Sequence, residues 1–250
     1  MIYVCVATQD AAPTIGLVLW KVRQVFSDFP REYQFLVVDD GSSDHSAELL
    51  ESYQRALPLT LTRHERRLGW AASVEELLRE ALRRSDRPKR DIAITIRPDF
   101  SISPGSLPEL VKAMESGADL VVAEDSGAGR PFAQRVIRRS ARWLLSPGVR
   151  VPGVRDLLSG VCAIRLSTLA FCLRQGDSPL LEQTGNAARA ELVARTAAVA
   201  RQISVVPLVP SPAGDTDDRG PAALSLALEL FRAGRRLRVP PPTVEIRRLS

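Results

Sequence analysis

Four short runs rich in valine, isoleucine and leucine punctuate the first half of this chain: IYVCV (2–6), FLVV (35–38), IAITI (92–96) and DLVVA (119–123). Each is too short for a buried helix and is built of side chains that pack well on a pleated surface, so each reads as a strand covered on both faces. Between the runs the apolar spacing changes to that of a helix. Ile15, Val18, Val22 and Phe26 share one face of 13–26, and Val74, Leu77, Leu78 and Ala81 share one face of 71–82. Strands that alternate with amphipathic helices need crossover connections, and the arrangement that buries both sets is a mostly parallel sheet with helices on its two faces.

The pattern continues downstream. In SLPELVKAMES (106–116), Ser106 and Glu109 have capping-box spacing, and Leu107, Leu110, Val111 and Met114 form the inner stripe. Stretches 131–145 and 186–201 read as helices, VCAIR (161–165) and ISVVPL (203–208) as strands, and 209–221 as a turn-rich loop before a last helix at 222–238. With 250 residues, 45% of them hydrophobic, the chain has material for one sizeable core. The expected organisation is a single α/β domain over 1–210 followed by a loop, helix and tail over 211–250, with the sheet ending near residue 210.

Charge and cysteine content exclude several classes. The net charge is +5, but 29 acids are interspersed among 34 basic residues, so no uniform field for nucleic acid is expected. Cys5, Cys162 and Cys172 are odd in number and lack metal-ligand spacing, and His45 and His64 are isolated with no partner evident, which argues against a disulfide framework and a zinc site. MIYVCVA runs into Gln9 and Asp10 without a basic leader, and no window approaches the ~18 apolar residues of a membrane span. The expectation is a cytoplasmic protein, and LALELFRAGRRLRV (226–239), where apolar residues stand beside arginines, suits either packing on its own domain or contact at the inner membrane face. Trp20, Trp70 and Trp143 are expected in the core, Trp70 being the best candidate for another role because it follows Gly69.

In open α/β sheets, ligands bind beyond the carboxyl ends of the strands. Three polar clusters fall there: Thr8-Gln9-Asp10, VVDDGSSD (37–44) and Arg97-Pro98-Asp99. Ser42 to Asp44 suit a turn with a helix cap and ligand contact equally well. Asp39 and Asp40, at the end of an apolar run, suit ligand contact better, because carboxylates there can accept hydrogen bonds from a base or ribose.

These motifs resemble the family-two glycosyltransferases of GT-A fold. Residues 35–44 resemble the family's V-V-D-D-G-S-x-D, RRLGWAAS (66–73) its R-N-x-G-x-x-A segment, IRPDFSISPGSLPELVKAM its D-x-D region, and VRDLLSGVCAIR (154–165) its D-x-x-S-G element. In order, they span about residues 1–210, and the D-x-x-S-G element looks most like the polyprenyl-phosphate sugar transferases. The resemblance implies a UDP- or GDP-sugar donor, Asp10 and Asp40 at ribose and base with Asp39 beside them, and Gly69 at a tight turn by the nucleotide. It implies Asp99 as the acid that contacts diphosphate and a Mg²⁺ or Mn²⁺ ion, and Asp156 near the reacting centre as the catalytic residue, where either Asp156 acts as general base or an already ionised acceptor phosphate attacks unaided. The acceptor would be a polyprenyl phosphate or a glycan, glycosylated with inversion.

The chain departs from the family pattern at the phosphate end. Arg97 stands at the first D-x-D position, where a guanidinium ~4 Å from a divalent cation is repelled by roughly 4 kcal/mol per unit charge at an effective dielectric near 20. Two readings stay open: Arg97 neutralises the diphosphate itself, or it pairs with Asp99 and closes the site. The family's basic residues after the fifth strand and in the late loop are replaced by Glu124, Asp125, Asp215, Asp217 and Asp218, with Arg66, Arg67 and Arg130 as candidates to compensate. An active transferase, metal-independent at this place, and a non-catalytic binding or scaffold protein of the same fold are the two functional expectations.

Overall fold

The computed structural model describes residues 1–100, 103–124, 132–146, 148–174, 179–208, 223–242, 244 and 246–248. Its elements run β1 (Ile2–Thr8), α1 (Ala12–Asp28), β2 (Tyr33–Asp39), α2 (Ser46–Gln54), β3 (Leu59–Arg63), α3 (Trp70–Arg84), β4 (Ile92–Ile96), α4 (Leu107–Glu115) and β5 (Leu120–Glu124). They continue with α5 (Phe132–Leu145), β6 (Cys162–Arg165), α6 (Leu166–Arg174), α7 (Gly185–Val199), β7 (Ile203–Pro207), α8 (Ala223–Arg236) and β8 (Ile246–Arg248). The eight strands form one sheet in the order β3-β2-β1-β4-β6-β5-β7-β8. Strand β6 is antiparallel to both its neighbours, β4 and β5, and the other pairings are parallel.

Strand alternation assigns the two faces. Ile2, Val4 and Val6 of β1 point into a core shared with Ile15, Val18 and Val22 of α1, Leu50 of α2 and Leu110 and Met114 of α4. Tyr3, Cys5 and Ala7 point the other way, onto Leu77 and Leu78 of α3 and onto residues of α5 to α8. The expected inner stripes of α1, α3 and α4 are buried. The inner strands β1, β2 and β5 are covered on both faces and carry apolar runs that end in Thr8, Asp39 and Glu124, whereas edge strand β3 alternates leucine with Thr60 and Thr62.

Several local details differ from expectation. Helix α4 is preceded by a 3-10 turn over Pro104–Ser106, and the side chain that caps this turn is Ser103, accepting from the Gly105 N–H at 3.3 Å; Ser106 makes no cap bond. With Pro104 and Pro108 fixing φ near helical values at both turns, the chain enters the helix earlier than the Ser106–Glu109 spacing suggests. The sheet also extends past residue 210, since β8 pairs with β7. Helix α8 contributes Leu226, Leu230, Ala233 and Leu237 to the core. Its close contact with α5 needs Gly234, where a Cβ would sit 2.8 Å from Leu145 Cα. Trp20 and Trp143 are exposed, lying off the inner stripes of α1 and α5, while Trp70 is half-buried.

Candidate functional site

The first two strand ends are tied together by their own loops. Asp10, at φ 48°, accepts from Ser43 N at 2.8 Å and from Ser43 Oγ at 3.1 Å, and its own N–H donates to Ser42 Oγ at 2.9 Å. Ala12 N donates to Asp44 Oδ2 and Ala11 N to Ser46 Oγ, which anchors the start of α1 on the start of α2. Gly41 makes this possible: at φ 66° it lies so near the 66–67 backbone that a Cβ would come within 2.7 Å of Arg66 C and Arg67 N.

Asp39 and Thr8 are register partners across β1 and β2 and are both buried. Asp39 Oδ1 accepts from Ser42 N and Oγ, but among the described residues Asp39 Oδ2 and Thr8 Oγ1 have no hydrogen-bond partner. Arg63 Nε lies 3.5 Å from Asp39 Oδ2, close enough for attraction but without a hydrogen bond. Buried acceptors left unpaired cost free energy, which a ligand donor can recover.

Asp40 is engaged by its own chain. Its Oδ1 accepts from Leu68 N and its Oδ2 from Gly69 N, each at 2.8 Å, and His64 Nδ1 lies 2.8 Å from Oδ1. The other His64 nitrogen lies 2.9 Å from Glu76 Oε2 on α3. Burial acts to raise the Asp40 pKa and is outweighed by the bonds from His64, Leu68 and Gly69, which hold it below the usual carboxylate range. For His64, burial acts downward and is outweighed by Asp40 and Glu76, so the imidazole titrates above its ordinary value. His64, which showed no partner in the sequence, thus ties β3 to α3 and fixes the 68–69 turn, from which Gly69 starts helix α3.

The next cluster forms where β4 ends and β6 begins. Because β6 is antiparallel to β4, residues 156–160 meet Arg97 and Asp99 at one sheet edge, and Thr95 Oγ1 donates to Gly160 O at 3.1 Å. Arg97 holds Asp99 at two points, Nε to Oδ1 at 3.2 Å and Nη2 to Oδ2. Buried Asp156 accepts from Leu158 N at 2.9 Å and from Arg138 Nη2 at 3.2 and 3.0 Å. Arg189 of α7 joins them, its guanidinium 5.6 Å from the Trp70 ring centroid. The residues present do not fit a divalent cation: a guanidinium fills one ligand position and grips the carboxylate at the other, and no group of three ligating side chains occurs among the described residues.

A cleft of about 550 Å³ adjoins this cluster beyond β5 and β7, lined by Arg135, Arg138, Arg139, Arg142, Arg155 and Arg248 with Glu124 and Asp156. Glu124 adds little negative field there, since Arg248 Nη1 lies 3.0 Å from its Oε2 and the Arg155 N–H donates to its Oε1. Asp125, Arg130, Asp215, Asp217 and Asp218 lie outside the described residues. Arg66 and Arg67 are exposed on the turn over Gly41.

A sequence model described as glycosyl transferase family 2 matches residues 3–151, more than half of the chain. The chain belongs to that family. Among curated relatives, dolichol-phosphate mannosyltransferase of Pyrococcus furiosus is 24% identical over 53% of this chain and 38% of its own length. Undecaprenyl-phosphate 4-deoxy-4-formamido-L-arabinose transferase of Pseudomonas fluorescens is 32% identical over 45% of this chain and 31% of its own. The chain therefore matches about a third of those relatives' length.

Solved structures share the fold of this family-2 chain. A glucosyl-3-phosphoglycerate synthase from Mycobacterium tuberculosis superposes with a TM-score of 0.60 at 19% identity, covering 96% of this chain and 81% of that one. A mannosyltransferase from Pyrobaculum calidifontis, solved with GDP-Man and Mn²⁺, gives 0.58 at 18% identity, covering 96% and 65%. S. aureus TarS with UDP-GlcNAc gives 0.55 at 20%, covering 82% and 55%. The mixed sheet flanked by helices is the GT-A arrangement. Arg138 and Arg189 escaped the sequence reading because arginine is abundant here and neither falls within a motif.

Proposed function

We propose that this family-2 chain moves a glycosyl group from a nucleoside-diphosphate sugar to a lipid phosphate. The observation that carries the donor half is the buried pair Asp39 Oδ2 and Thr8 Oγ1, neither hydrogen-bonded among the described residues, beside the clamped Asp10 loop and the Asp40-anchored turn. A base N–H would satisfy Asp39, the ribose would meet Asp10 at the rim, and Asp40 would act by holding Gly69 in place. The acceptor half rests on the arginine-lined cleft, which suits a phosphate. In the transfer, an oxygen of the ionised acceptor phosphate forms a bond to the anomeric carbon, and the bond from that carbon to the diphosphate breaks with its electron pair leaving on the diphosphate. Such an acceptor needs no general base, so Asp156 would serve by holding Arg138.

Melting the protein against UDP-, GDP- and dTDP-sugars, with Mn²⁺ and with EDTA, tests the donor half. A ligand at a hundred times its Kd adds about 2.7 kcal/mol, which at about 2–4 °C per kcal/mol is a shift of roughly 5–10 °C. One nucleotide is expected to give that shift. No shift with any of them would instead favour the non-catalytic reading, for which the closed Arg97–Asp99 pair speaks.

A lipid acceptor also needs a surface that meets the membrane. Helices α5 and α8 pack on each other and expose Val136, Trp143, Leu224, Leu228 and Phe231. On α8, Leu224, Leu228 and Phe231 fall at helical spacing on one stripe, with Arg232 and Arg235 beside them. Apolar residues bordered by arginines suit an anionic bilayer, each cation near it contributing about 1 kcal/mol. No described helix is long and apolar enough to cross a membrane. The protein is expected to sediment with phosphatidylglycerol vesicles and not with phosphatidylcholine ones, and Trp143→Ser with Phe231→Ser to weaken this about tenfold; equal sedimentation with both lipids would remove the membrane-facing assignment.

A further inference from the structure

Arg189 is held in a way that its own chain does not satisfy. Its stem packs on Gly160, where a Cβ would lie 3.2 Å from Arg189 Cδ. Among the described residues, Nη1 has a long bond of 3.4 Å to Asn186 Oδ1 and the buried Nε has no acceptor. Burial first, and then the neighbouring Arg97 and Arg138, lower the guanidinium to about 9, so it stays charged at neutral pH without an ion-pair partner of its own. Among the described residues, Arg97 and Arg138 thus stand near Arg189 together with Asp99 and Asp156. Arg97 spends Nε and Nη2 on Asp99, and Arg138 spends Nη2 on Asp156, so both have N–H groups outside those pairs.

The sheet order says where this cluster lies. Along the carboxyl edge, Asp39 ends β2, Thr8 ends β1, Arg97 follows β4, Gly160 precedes β6, and Glu124 ends β5 at the arginine-lined cleft. With strands about 4.8 Å apart, the cluster starts roughly 10 Å from Asp39, which is the reach from a nucleobase to its diphosphate. An anion bound there would pair the orphaned Nε.

We propose that Arg97, Arg138 and Arg189 form a metal-free site for the donor diphosphate, occupying the place where paired carboxylates would hold a divalent cation. The proposal rests on the donor reading above for the identity of the anion, but the site can be probed without a nucleoside. Planar guanidiniums bind phosphate oxygens at two points, and their charge is permanent, so such a site neutralises the diphosphate without a cation. Arg97 would at the same time repel Mn²⁺, giving metal and diphosphate opposite preferences for this cluster.

Calorimetric titration of the full chain with inorganic pyrophosphate in EDTA tests the site. Pyrophosphate is expected to bind, Mn²⁺ in place of EDTA is expected not to tighten it, and Arg189→Met is expected to weaken it about tenfold to a hundredfold. Arg97→Met serves if Arg189→Met fails to fold and is expected to weaken binding by a similar factor. Binding that requires Mn²⁺, or variants that bind as tightly as the parent, would overturn the proposal. Uridine, guanosine, UDP and GDP in the same buffer separate the two readings. Nucleoside binding without metal-free pyrophosphate binding rejects the arginine site and spares the donor pocket. Pyrophosphate binding that no nucleoside improves keeps the arginine site and rejects the donor pocket.

Discussion

Asp40→Ala is expected to cost about 3–5 kcal/mol of folding stability, the range for removing one partner of a buried charged pair. The change strips an acceptor from three donors at once, Leu68 N, Gly69 N and the His64 ring, in a pocket where the Asp40 and His64 side chains are 6% and 8% exposed. Domains of this kind have only about 5–15 kcal/mol in total, so the melting temperature should fall by roughly 6–20 °C. Chemical denaturation of parent and variant measures it, and a loss under 1 kcal/mol would show that the turn holds itself.

The same pair predicts a pH signature. Asp40 has a lowered folded pKa, so its contribution is present above its unfolded value near 3.9 and is lost as pH falls through the folded value. His64 has a raised folded pKa, so its contribution is complete below about 6.5 and is lost as pH rises through the folded value. The pair therefore stabilises most between about pH 4 and 6.5. Both flanks of the stability profile should flatten in Asp40→Ala.

The second large effect is expected from Arg97→Asp. A unit charge pair at 4 Å interacts by about 4 kcal/mol at an effective dielectric near 20. The substitution removes a like charge from a cation's surroundings, releases Asp99 from its two-point pair and adds a second carboxylate two residues away. Mn²⁺ affinity should rise by about a hundredfold or more, a conservative share of that Coulomb energy, read by titration in the presence of UDP or GDP. Pyrophosphate binding in EDTA should be lost in the same variant. Unchanged Mn²⁺ affinity would mean that residues 97–99 do not occupy the metal position of the family.

Much of the site's frame was legible locally. The apolar runs, the inner stripes of α1, α3 and α4, and the acids of VVDDGSSD at a strand end follow from periodicities that neighbouring residues set among themselves. So did the conflict at position 97, since a guanidinium cannot serve as a metal ligand in any fold. Less was legible near Ser106, where two prolines set the helix start, and at Trp143, where exposure depends on what packs over α5.

What tertiary structure alone decided is which distant side chains meet. The antiparallel insertion of β6 between β4 and β5 carries Asp156 to Arg97, and the packing of α5 and α7 brings Arg138 and Arg189 onto the same edge. His64 meets Asp40 and Glu76 across 24 and 12 positions for the same reason. Local sequence can specify a helix face or a strand end because the energies involved act over a few residues. The charge balance of the site is a sum over groups brought together by strand order, and it exists only once the sheet has formed.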